Sequence, residues 1–486
     1  MSTFTTPFSS FERAPLAVPA AVFEVLVYLA VVAMATLCFL ARWLTVNGAA
    51  VLTVILLTTL LVLSWTHLGQ GRHPCFLFLC VLLLFQGGRL IAYCAGYITD
   101  PLAVEVIRPF PFSLTQDEAG LVLLLLVLSA ICIYAPCGWN YHPISPPREA
   151  QDRRYLPYLY LLFYGSLPIQ LFKNYRYYQY VQEHGGYTVI FLNHSGLASA
   201  VPLLVRVVSL ISFPAFVAIF VLEYRPKFLY AATILYFGTA SLILLMGSRG
   251  ALFGLILALW YVARVKSGKR TRILALALLA LALVLVADVI QNLREDAEIS
   301  SYAFAPLEFL KLQGSSLAVT EVSVKYRRVF APYAASYLLH ELQNAFVAND
   351  TSNYFRGKAL AFDVPVLLNP DAFSLGRGTG GSYIGEAYVI GGAAGVIVIS
   401  LLMGAGLHLL HHFSRNALSL FVVAMILPDI FIMPRGELLD WFSVLMRNAI
   451  SLVLLAMGWG LYRLLTSIRQ TQGQRIGVPK LSPGEA

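Results

Sequence analysis

The longest polar interval of the chain runs from residue 292 to residue 386 and carries three motifs: Asn292-Leu-Arg-Glu-Asp-Ala-Glu298, Lys325-Tyr-Arg-Arg328 and Gly376-Arg-Gly-Thr-Gly-Gly-Ser-Tyr-Ile-Gly-Glu386. The interval is too polar to lie in lipid. A connection of this length is uncommon unless it carries function, and glycines permit backbone conformations that other residues avoid. We therefore expect the chemistry of the protein here and a scaffold in the rest of the chain.

The composition places the scaffold in a membrane. Of the 486 residues 58% are hydrophobic and 12% are charged, whereas soluble domains carry about 25% charged residues. The net charge of +9 could indicate nucleic-acid binding, but the basic residues lie in short loops between apolar runs, as membrane topology requires. The sequence predicts an all-α polytopic integral membrane protein that does not bind nucleic acid.

Apolar runs of about 20 residues, the length that crosses a bilayer as a helix, recur along the chain. The first is longer than the core of a signal peptide, so we expect it to remain as a span. We predict about twelve spans, at 18–41, 48–69, 75–97, 119–137, 155–173, 200–223, 228–246, 250–264, 273–291, 387–410, 417–433 and 444–464.

These spans divide the chain into four parts. Residues 1–291 form an N-terminal bundle of about nine spans, 292–386 a large partly helical periplasmic loop, 387–464 a C-terminal group of about three spans, and 465–486 a basic cytoplasmic tail that is expected to be disordered.

Lysines and arginines of short loops cluster on the cytoplasmic side of membrane proteins. With twelve spans, the basic loops share one side only if both termini are cytoplasmic. The outer face then receives the large loop together with the segments 173–198, 247–250 and 434–441.

Arginines dominate the candidate site, and guanidinium groups match phosphate geometry. Arg249 is held between glycines in a very short outer turn, Arg377 lies in the glycine-rich run, and Arg435 and Arg447 flank the start of the last span. Three of the four have a structural alternative: Arg249 as an interface anchor, and Arg435 and Arg447 in a salt-bridge network with Glu437 and Asp440.

Three carboxylates are candidates for a general base, with Glu386 ranked before Glu437 and Asp440. The alternative for Glu386 is a plain charge at a helix N-terminus. Arg328, His340 and Tyr383 complete the candidate substrate-binding set, although a lone histidine such as His340 more often packs or faces water.

No metal site is predicted. Asp296 and Glu298 are interpreted as a solvated face, and the six cysteines make no metal-binding or redox spacing. P-loop, Rossmann and Ser-His-Asp patterns are absent from the sequence, so no nucleotide cofactor is expected.

Three motifs in order carry a family resemblance: Gly247-Ser-Arg-Gly250, Gly380-Gly-Ser-Tyr-Ile-Gly-Glu-Ala-Tyr-Val-Ile-Gly-Gly392 and Pro434-Arg-Gly-Glu437. In this pattern most of the chain resembles the Wzy-type polymerases of O-antigen and exopolysaccharide repeat units. The resemblance implies a bacterial inner-membrane enzyme with a GT-C-like architecture, working in lipopolysaccharide or exopolysaccharide biosynthesis. It further implies that undecaprenyl-diphosphate-linked repeat units serve as both donor and acceptor, and that a chain-length regulator and a flippase act in the same membrane.

The expected reaction moves the growing glycan from its lipid diphosphate to the non-reducing end of a new lipid-linked repeat unit. Many GT-C enzymes carry an acidic metal motif in the first outer loop, and residues 42–47 hold no acid. This departure favours metal-independent chemistry in which Arg249, Arg377, Arg435 and Arg447 neutralise the diphosphate. Two alternatives stay open: an O-antigen ligase-like transferase, and a transporter or flippase of lipid-linked oligosaccharides.

Overall fold

The computed structural model describes residues 20–40, 42–102, 112–139, 141, 144, 155–184, 189–192, 194–246, 250–272, 274–279, 281–282, 305–343, 354–374, 378–443, 445–446, 448–453 and 456–457. Within these ranges the chain is helical and contains no β-strand. The predicted all-α fold class is confirmed for this part of the chain.

The first half contributes twelve helices: α1 Ala20–Leu40, α2 Val46–His67, α3 Pro74–Phe85, α4 Gly88–Cys94, α5 Gln116–Trp139, α6 Leu156–Glu183, α7 Val189–Leu192, α8 His194–Ser199, α9 Leu203–Ser209, α10 Ser212–Leu222, α11 Pro226–Leu245 and α12 Gly250–Ser267. The second half contributes α13 Ala305–Gln313, α14 Ser316–Lys325, α15 Arg327–Phe330, α16 Ala334–Gln343, α17 Leu360–Leu368, α18 Pro370–Ser374, α19 Tyr383–Phe413 and α20 Ala417–Ile432, with 3-10 turns at Ala331–Tyr333 and Met433–Arg435.

Local sequence fixes where several of the long helices begin. The side chain of Thr45 accepts from the Gly48 N–H ahead of α2, and that of Ser382 accepts from the Gly385 N–H ahead of α19. Asn416 and Ser419 form a reciprocal capping box at the start of α20. Each cap satisfies an amide that the helix itself leaves unpaired.

Six helical segments of the described chain are long and apolar enough to cross a membrane, and the bent pair α3 and α4 raises the number to seven. The six segments are Val46–His67, Gln116–Trp139, Leu203–Leu222, Pro226–Leu245, Tyr383–Phe413 and Ala417–Arg435. These helices agree with a polytopic membrane protein. The count of twelve stays a prediction. The predicted spans 18–41, 155–173 and 250–264 fall on helices that are not among these segments, and the ranges 273–291 and 444–464 lie partly outside the described residues.

The third predicted span, 75–97, is not one continuous helix. It is broken between α3 and α4 by a 63° bend. A Cβ on Gly88 would lie 2.6 Å from the Leu310 carbonyl oxygen, and one on Gly314 would lie 2.3 Å from the Arg89 nitrogen. The glycines thus let α13, from the large polar interval, pack directly on the break.

Helices α5 and α19 pack closely through small residues. A Cβ on Gly404 would meet the Ile133 carbonyl oxygen at 2.3 Å, and the Cys137 thiol donates to the Gly404 carbonyl at 3.2 Å. Small residues at such crossings let helix backbones approach each other, which is how helices associate in lipid.

The directions of α3 and α19 define two ends of the bundle. The carboxylate end comprises Gln86–Arg89, Glu341, Ser382–Glu386 and Pro434–Asp440. The histidine end comprises His73, Tyr141 and His411, which are in ring contact with one another.

Candidate functional site

A buried set of polar side chains joins four separate parts of the chain at the carboxylate end. Gln86 Nε2, at the α3 break, donates to Ser382 Oγ at 3.0 Å and to the Pro434 carbonyl at 2.5 Å. Thr320 of α14 lies 2.9 Å from the same Ser382 hydroxyl. Two of the four segments predicted to lie on one face, the large polar interval and 434–441, therefore meet in space.

The glycine-rich segment packs against the segment that follows α20. The Gly381 N–H donates to the Arg435 carbonyl at 2.9 Å, and a Cβ on Gly381 would lie 2.8 Å from the Gly436 carbonyl carbon and oxygen. Gly380 has a φ of +76°, a conformation that glycine adopts without strain. The motif that begins at Gly380 and the motif Pro434-Arg-Gly-Glu437 thus form one interlocked unit.

Two buried glutamates hold the backbone just beyond this unit. Glu386 Oε2 accepts the Leu438 N–H at 2.8 Å, and Glu341 Oε2 accepts the Leu439 N–H at 2.7 Å. Both side chains are 1% exposed. Their Oε1 atoms have no donor among the described residues.

The carboxyl groups of Glu341 and Glu386 face each other and interact. Burial, followed by the charge of Glu386, raises the pKa of Glu341 far above its usual range. Glu341 is therefore protonated near neutral pH, and its hydroxyl supplies the donor that the facing Glu386 lacks.

Two further acids extend the cluster outward. Glu437 Oε1 accepts the Ala361 N–H at 3.3 Å, and burial, followed by the charges of Asp440 and Glu386, raises its pKa well above the usual value. Asp440 Oδ2 accepts the Glu437 N–H at 2.9 Å, and its side chain is exposed. Of the three carboxylates predicted as a base, Asp440 is therefore the one open to a substrate, whereas Glu386 is enclosed.

Arg435 stands beside the acids, at the end of the 3-10 turn after α20. Its guanidinium donates to the Gln313 side chain and lies 5.6 Å from the centre of the Phe85 ring. Gln313 is the last residue of α13, so the large polar interval 292–386 positions the guanidinium of Arg435. Arg435 is half-buried, a setting in which a guanidinium binds an anion more strongly than it does in open water.

The sequence comparisons were made on the whole chain. A family model described as O-antigen polysaccharide polymerase Wzy matches residues 21–463. The chain belongs to this family. No curated protein and no solved structure gives a significant match.

Membership in the Wzy family gives the carboxylate end a chemical context. A Wzy polymerase extends polysaccharide from lipid-linked units, so its site must hold anionic lipid carriers and sugar hydroxyls. The half-buried Arg435 and the exposed Asp440 lie one on each side of residues 436–439.

The other predicted substrate-binding residues of this Wzy polymerase occupy different surroundings. Tyr383 is fully buried, with its hydroxyl 2.5 Å from Ser129 Oγ, which places it in the packing between α5 and α19. Arg328 is exposed, and the partly exposed His340 lies against the Phe355 ring at 4.8 Å. Arg249, Arg377 and Arg447 lie outside the described residues, as do Asp296 and Glu298.

Sequence analysis did not select Glu341, Gln86, Thr320, Glu321 or Arg327. Glu321 of α14 is fully buried, and burial raises its pKa well above the usual value although the nearby Arg89 opposes the shift. Arg327 Nε donates to the Tyr388 carbonyl at 3.1 Å, next to the break of α19 at Gly391 and Gly392. A spacing signal existed for Glu341: it lies four residues after the buried Tyr337, which places an acid on the packed face of α16.

One group of potential metal ligands is found in the described part of the polymerase. It consists of His73, Cys75 and Cys137 and belongs to the histidine end. The spacing of the cysteines in the sequence did not indicate this proximity, because Cys75 and Cys137 lie on different helices, α3 and α5.

Proposed function

We propose that this polymerase transfers the growing glycan from undecaprenyl diphosphate to the non-reducing end of a new undecaprenyl-diphosphate-linked repeat unit, on the periplasmic face of the inner membrane. Family membership supports the overall reaction. The carboxylate end supports its location, because the acids and Arg435 lie where the large polar interval packs on the helix bundle.

One observation carries the proposal: buried glutamates fix the backbone between a cation and a base. Glu386 and Glu341 accept the amides of residues 438 and 439, and the Gly381 N–H holds the carbonyl of Arg435. The segment from Arg435 to Asp440 is thereby tied at three points. A site fixed in this way orients the reacting groups before the substrate arrives.

In the proposed step, Asp440 takes the proton of the acceptor sugar hydroxyl. The hydroxyl oxygen forms a bond to the anomeric carbon of the donor glycan while the bond from that carbon to the diphosphate oxygen breaks. Undecaprenyl diphosphate leaves with the electron pair, and Asp440 later releases its proton to water. General-base help of this kind contributes about 10²- to 10⁴-fold to a rate.

Guanidinium groups stabilise the departing diphosphate. Arg435 supplies one cation, and Arg249, Arg377 and Arg447 are assigned the others on their sequence positions alone. Arginines serve this purpose because their planar donors pair bidentately with phosphate oxygens. We therefore propose metal-independent catalysis on a GT-C-like scaffold of about twelve spans.

The remaining candidates receive supporting roles. Glu386, Glu341 and Glu437 position the backbone rather than touch the substrate, and Tyr383 anchors α19 to α5. Arg328 and His340 lie on the loop helices and are assigned to the glycan.

The test is a reconstituted reaction with purified protein and undecaprenyl-diphosphate repeat units from its own host, with products resolved by size. We expect a ladder spaced by one repeat unit that persists in chelator. Asp440→Asn, which keeps an acceptor for the Glu437 amide, should lower the rate about 100-fold or more. Asp371→Asn, at another exposed aspartate, should leave the rate unchanged.

Each other outcome contradicts a defined part of the proposal. Transfer only to a supplied lipid core would indicate a ligase, and sugar movement across the bilayer without transfer would indicate a transporter. A ladder that disappears in chelator would remove metal independence. A fully active Asp440→Asn variant would remove the assigned base.

A further inference from the structure

The histidine end holds a compact group of buried metal-ligand side chains. His73, Cys75 and Cys137 each offer one ligand atom, and these atoms lie within 4.8 Å of one another. All three residues are fully buried. This group lies at the end of α3 opposite the carboxylate end and takes no part in the proposed transfer.

The fold brings the group together from two helices and places a third beside it. His73 is the N-cap of α3 and Cys75 lies in its first turn, whereas Cys137 lies in the last turn of α5. The ring of His411, in the last turn of α19, lies 4.4 Å from that of His73. Four candidate ligands thus come from the ends of three helices.

The hydrogen bonding of His73 is incomplete. Nδ1 accepts the Cys75 N–H at 3.1 Å, which places the proton of the neutral ring on Nε2. That nitrogen is buried without a partner in the described structure.

The thiols of Cys75 and Cys137 make only weak hydrogen bonds. Cys75 Sγ lies 4.0 Å from the Ile133 carbonyl oxygen, and Cys137 Sγ lies 3.2 Å from that of Gly404. Thiols are weak donors, so little is lost when they ionise toward a metal.

We propose that His73, Cys75 and Cys137 bind one Zn²⁺ ion, with His411 as the nearest residue able to complete a tetrahedral site. Nitrogen and sulfur ligands in this proportion are typical of structural zinc. Binding converts two thiols to thiolates and releases two protons to solvent. The charges of the ion and the two thiolates then cancel, which suits a buried environment.

The lone pair of His73 that binds the ion is on Nδ1. Coordination there exchanges the capping hydrogen bond for a metal bond. The ion would fasten α3 to α5 and, through His411, to α19. Its role is therefore structural, and it stands independently of the proposed transferase chemistry.

The test measures metal in the full-length protein purified in detergent without chelator or affinity metal. We expect equimolar zinc by elemental analysis in the wild type. Cys75→Ser and Cys137→Ser should each lose it, while Cys132→Ser, a buried cysteine of the same helix as Cys137, should retain it. Zinc present in the wild type and unchanged in both ligand variants would overturn the assignment.

A second measurement does not depend on the variants folding. Wild-type protein stripped with chelator and titrated with Co²⁺ should show the intense visible absorption of a tetrahedral site with sulfur ligands, and Zn²⁺ should displace it. Restored zinc should raise the unfolding temperature by several degrees. Absence of both zinc and the cobalt spectrum, or a Cys75–Cys137 disulfide in the purified protein, would refute the proposal.

Discussion

Glu341 and Glu386 illustrate how a buried pair of acids is tolerated. Two ionised carboxylates in contact would repel each other strongly, so one keeps its proton and donates to the other. The backbone amides of Leu438 and Leu439 then satisfy the remaining oxygens. The pair serves as a positioning element for the exposed Asp440.

This arrangement predicts the effect of Glu341→Gln. A carboxyl whose pKa rises on folding binds more protons in the folded state, so the stability falls as pH rises above the ordinary value of 4.5. Glutamine resembles the protonated acid and cannot ionise. The variant should match the wild type near pH 5 and become increasingly more stable than it toward neutral and alkaline pH, because the decline between about pH 5 and pH 9 becomes shallower by up to about 1.4 kcal/mol per pH unit.

Thermal unfolding in detergent, followed by tryptophan fluorescence across this pH range, measures the effect. Glu437 and Glu321 shift in the same direction, so part of the slope should remain. Glu183→Gln, at an exposed glutamate on α6, is the control and should match the wild type. An unaltered slope in Glu341→Gln would mean that Glu341 is ionised in the folded protein.

The motifs of the site could be identified from the sequence. Which of their carboxylates are buried and which is exposed could not. Pro434-Arg-Gly-Glu437 and the glycine-rich segment were predicted to share one face, and the structure packs them against each other. Glu386 was ranked above Asp440 because its position at the start of a helix can be predicted from the sequence. The exposure of these carboxylates depends instead on how α16 and α17 cover the site. That covering is a tertiary property, which no local pattern contains.

At the scale of elements, glycines decide which segments touch. Gly381→Ala would place a Cβ 2.8 Å from the backbone of Gly436, where neither chain can yield easily. The segment carrying Arg435 should shift, lowering polymerase activity at least about tenfold and stability by about 1–3 kcal/mol. Gly378→Ala is a matched control, since its Cβ would make only an ordinary 3.8 Å contact with Pro365.

The O-antigen ladder in cells and the reconstituted rate both report this difference. Normal activity in Gly381→Ala would show that the interlock is not required for the reaction. Equal loss in Gly378→Ala would point instead to a general need for loop flexibility.

A second pair of glycines tests the packing of α19 on α5. Gly404→Ala would bring a Cβ to 2.3 Å from the Ile133 carbonyl oxygen, whereas Gly406 has open space around it. We expect Gly404→Ala to lower stability by about 1–3 kcal/mol. Gly406→Ala should raise it by up to about 1 kcal/mol through helix propensity. The unfolding midpoints of Gly404→Ala and Gly406→Ala, measured in the same detergent, test this difference. Similar midpoints would contradict the close packing of α19 on α5.

Apolar run length predicted where most long helices lie, since it reflects local composition. The bend after α3 and the break at Gly391 and Gly392 were not predicted, although glycine pairs mark both. A glycine pair permits a bend but does not compel one. The bend forms because α13 packs against Gly88, a contact more than 200 residues away in sequence.

For the whole molecule, hydropathy and loop charge predicted an all-helical membrane protein with its polar segments gathered together. The described helices agree with the class, and the carboxylate end gathers the segments 86–89, 382–386 and 434–440. The histidine end brings together the polar segments around Gln70, Glu223 and residues 266–271. The Thr271 N–H donates to the Gln70 carbonyl at 3.0 Å, and Lys266 Nζ donates to the Glu223 carbonyl at 2.8 Å. Because basic loops tend to face the cytoplasm, we propose that the histidine end is the cytoplasmic one.

That assignment predicts opposite accessibility for two exposed positions. Asp371 lies in α18 beside α17, whose Ala361 amide contacts Glu437 at the carboxylate end; Lys269 lies next to Thr271 at the histidine end. In a Cys94→Ser background, which removes an exposed thiol, Asp371→Cys should react with a membrane-impermeant maleimide in intact spheroplasts. Lys269→Cys should react only after the membrane is permeabilised. Labelling of both from outside, or of Lys269→Cys alone, would place the acids on the wrong side for periplasmic polymerisation.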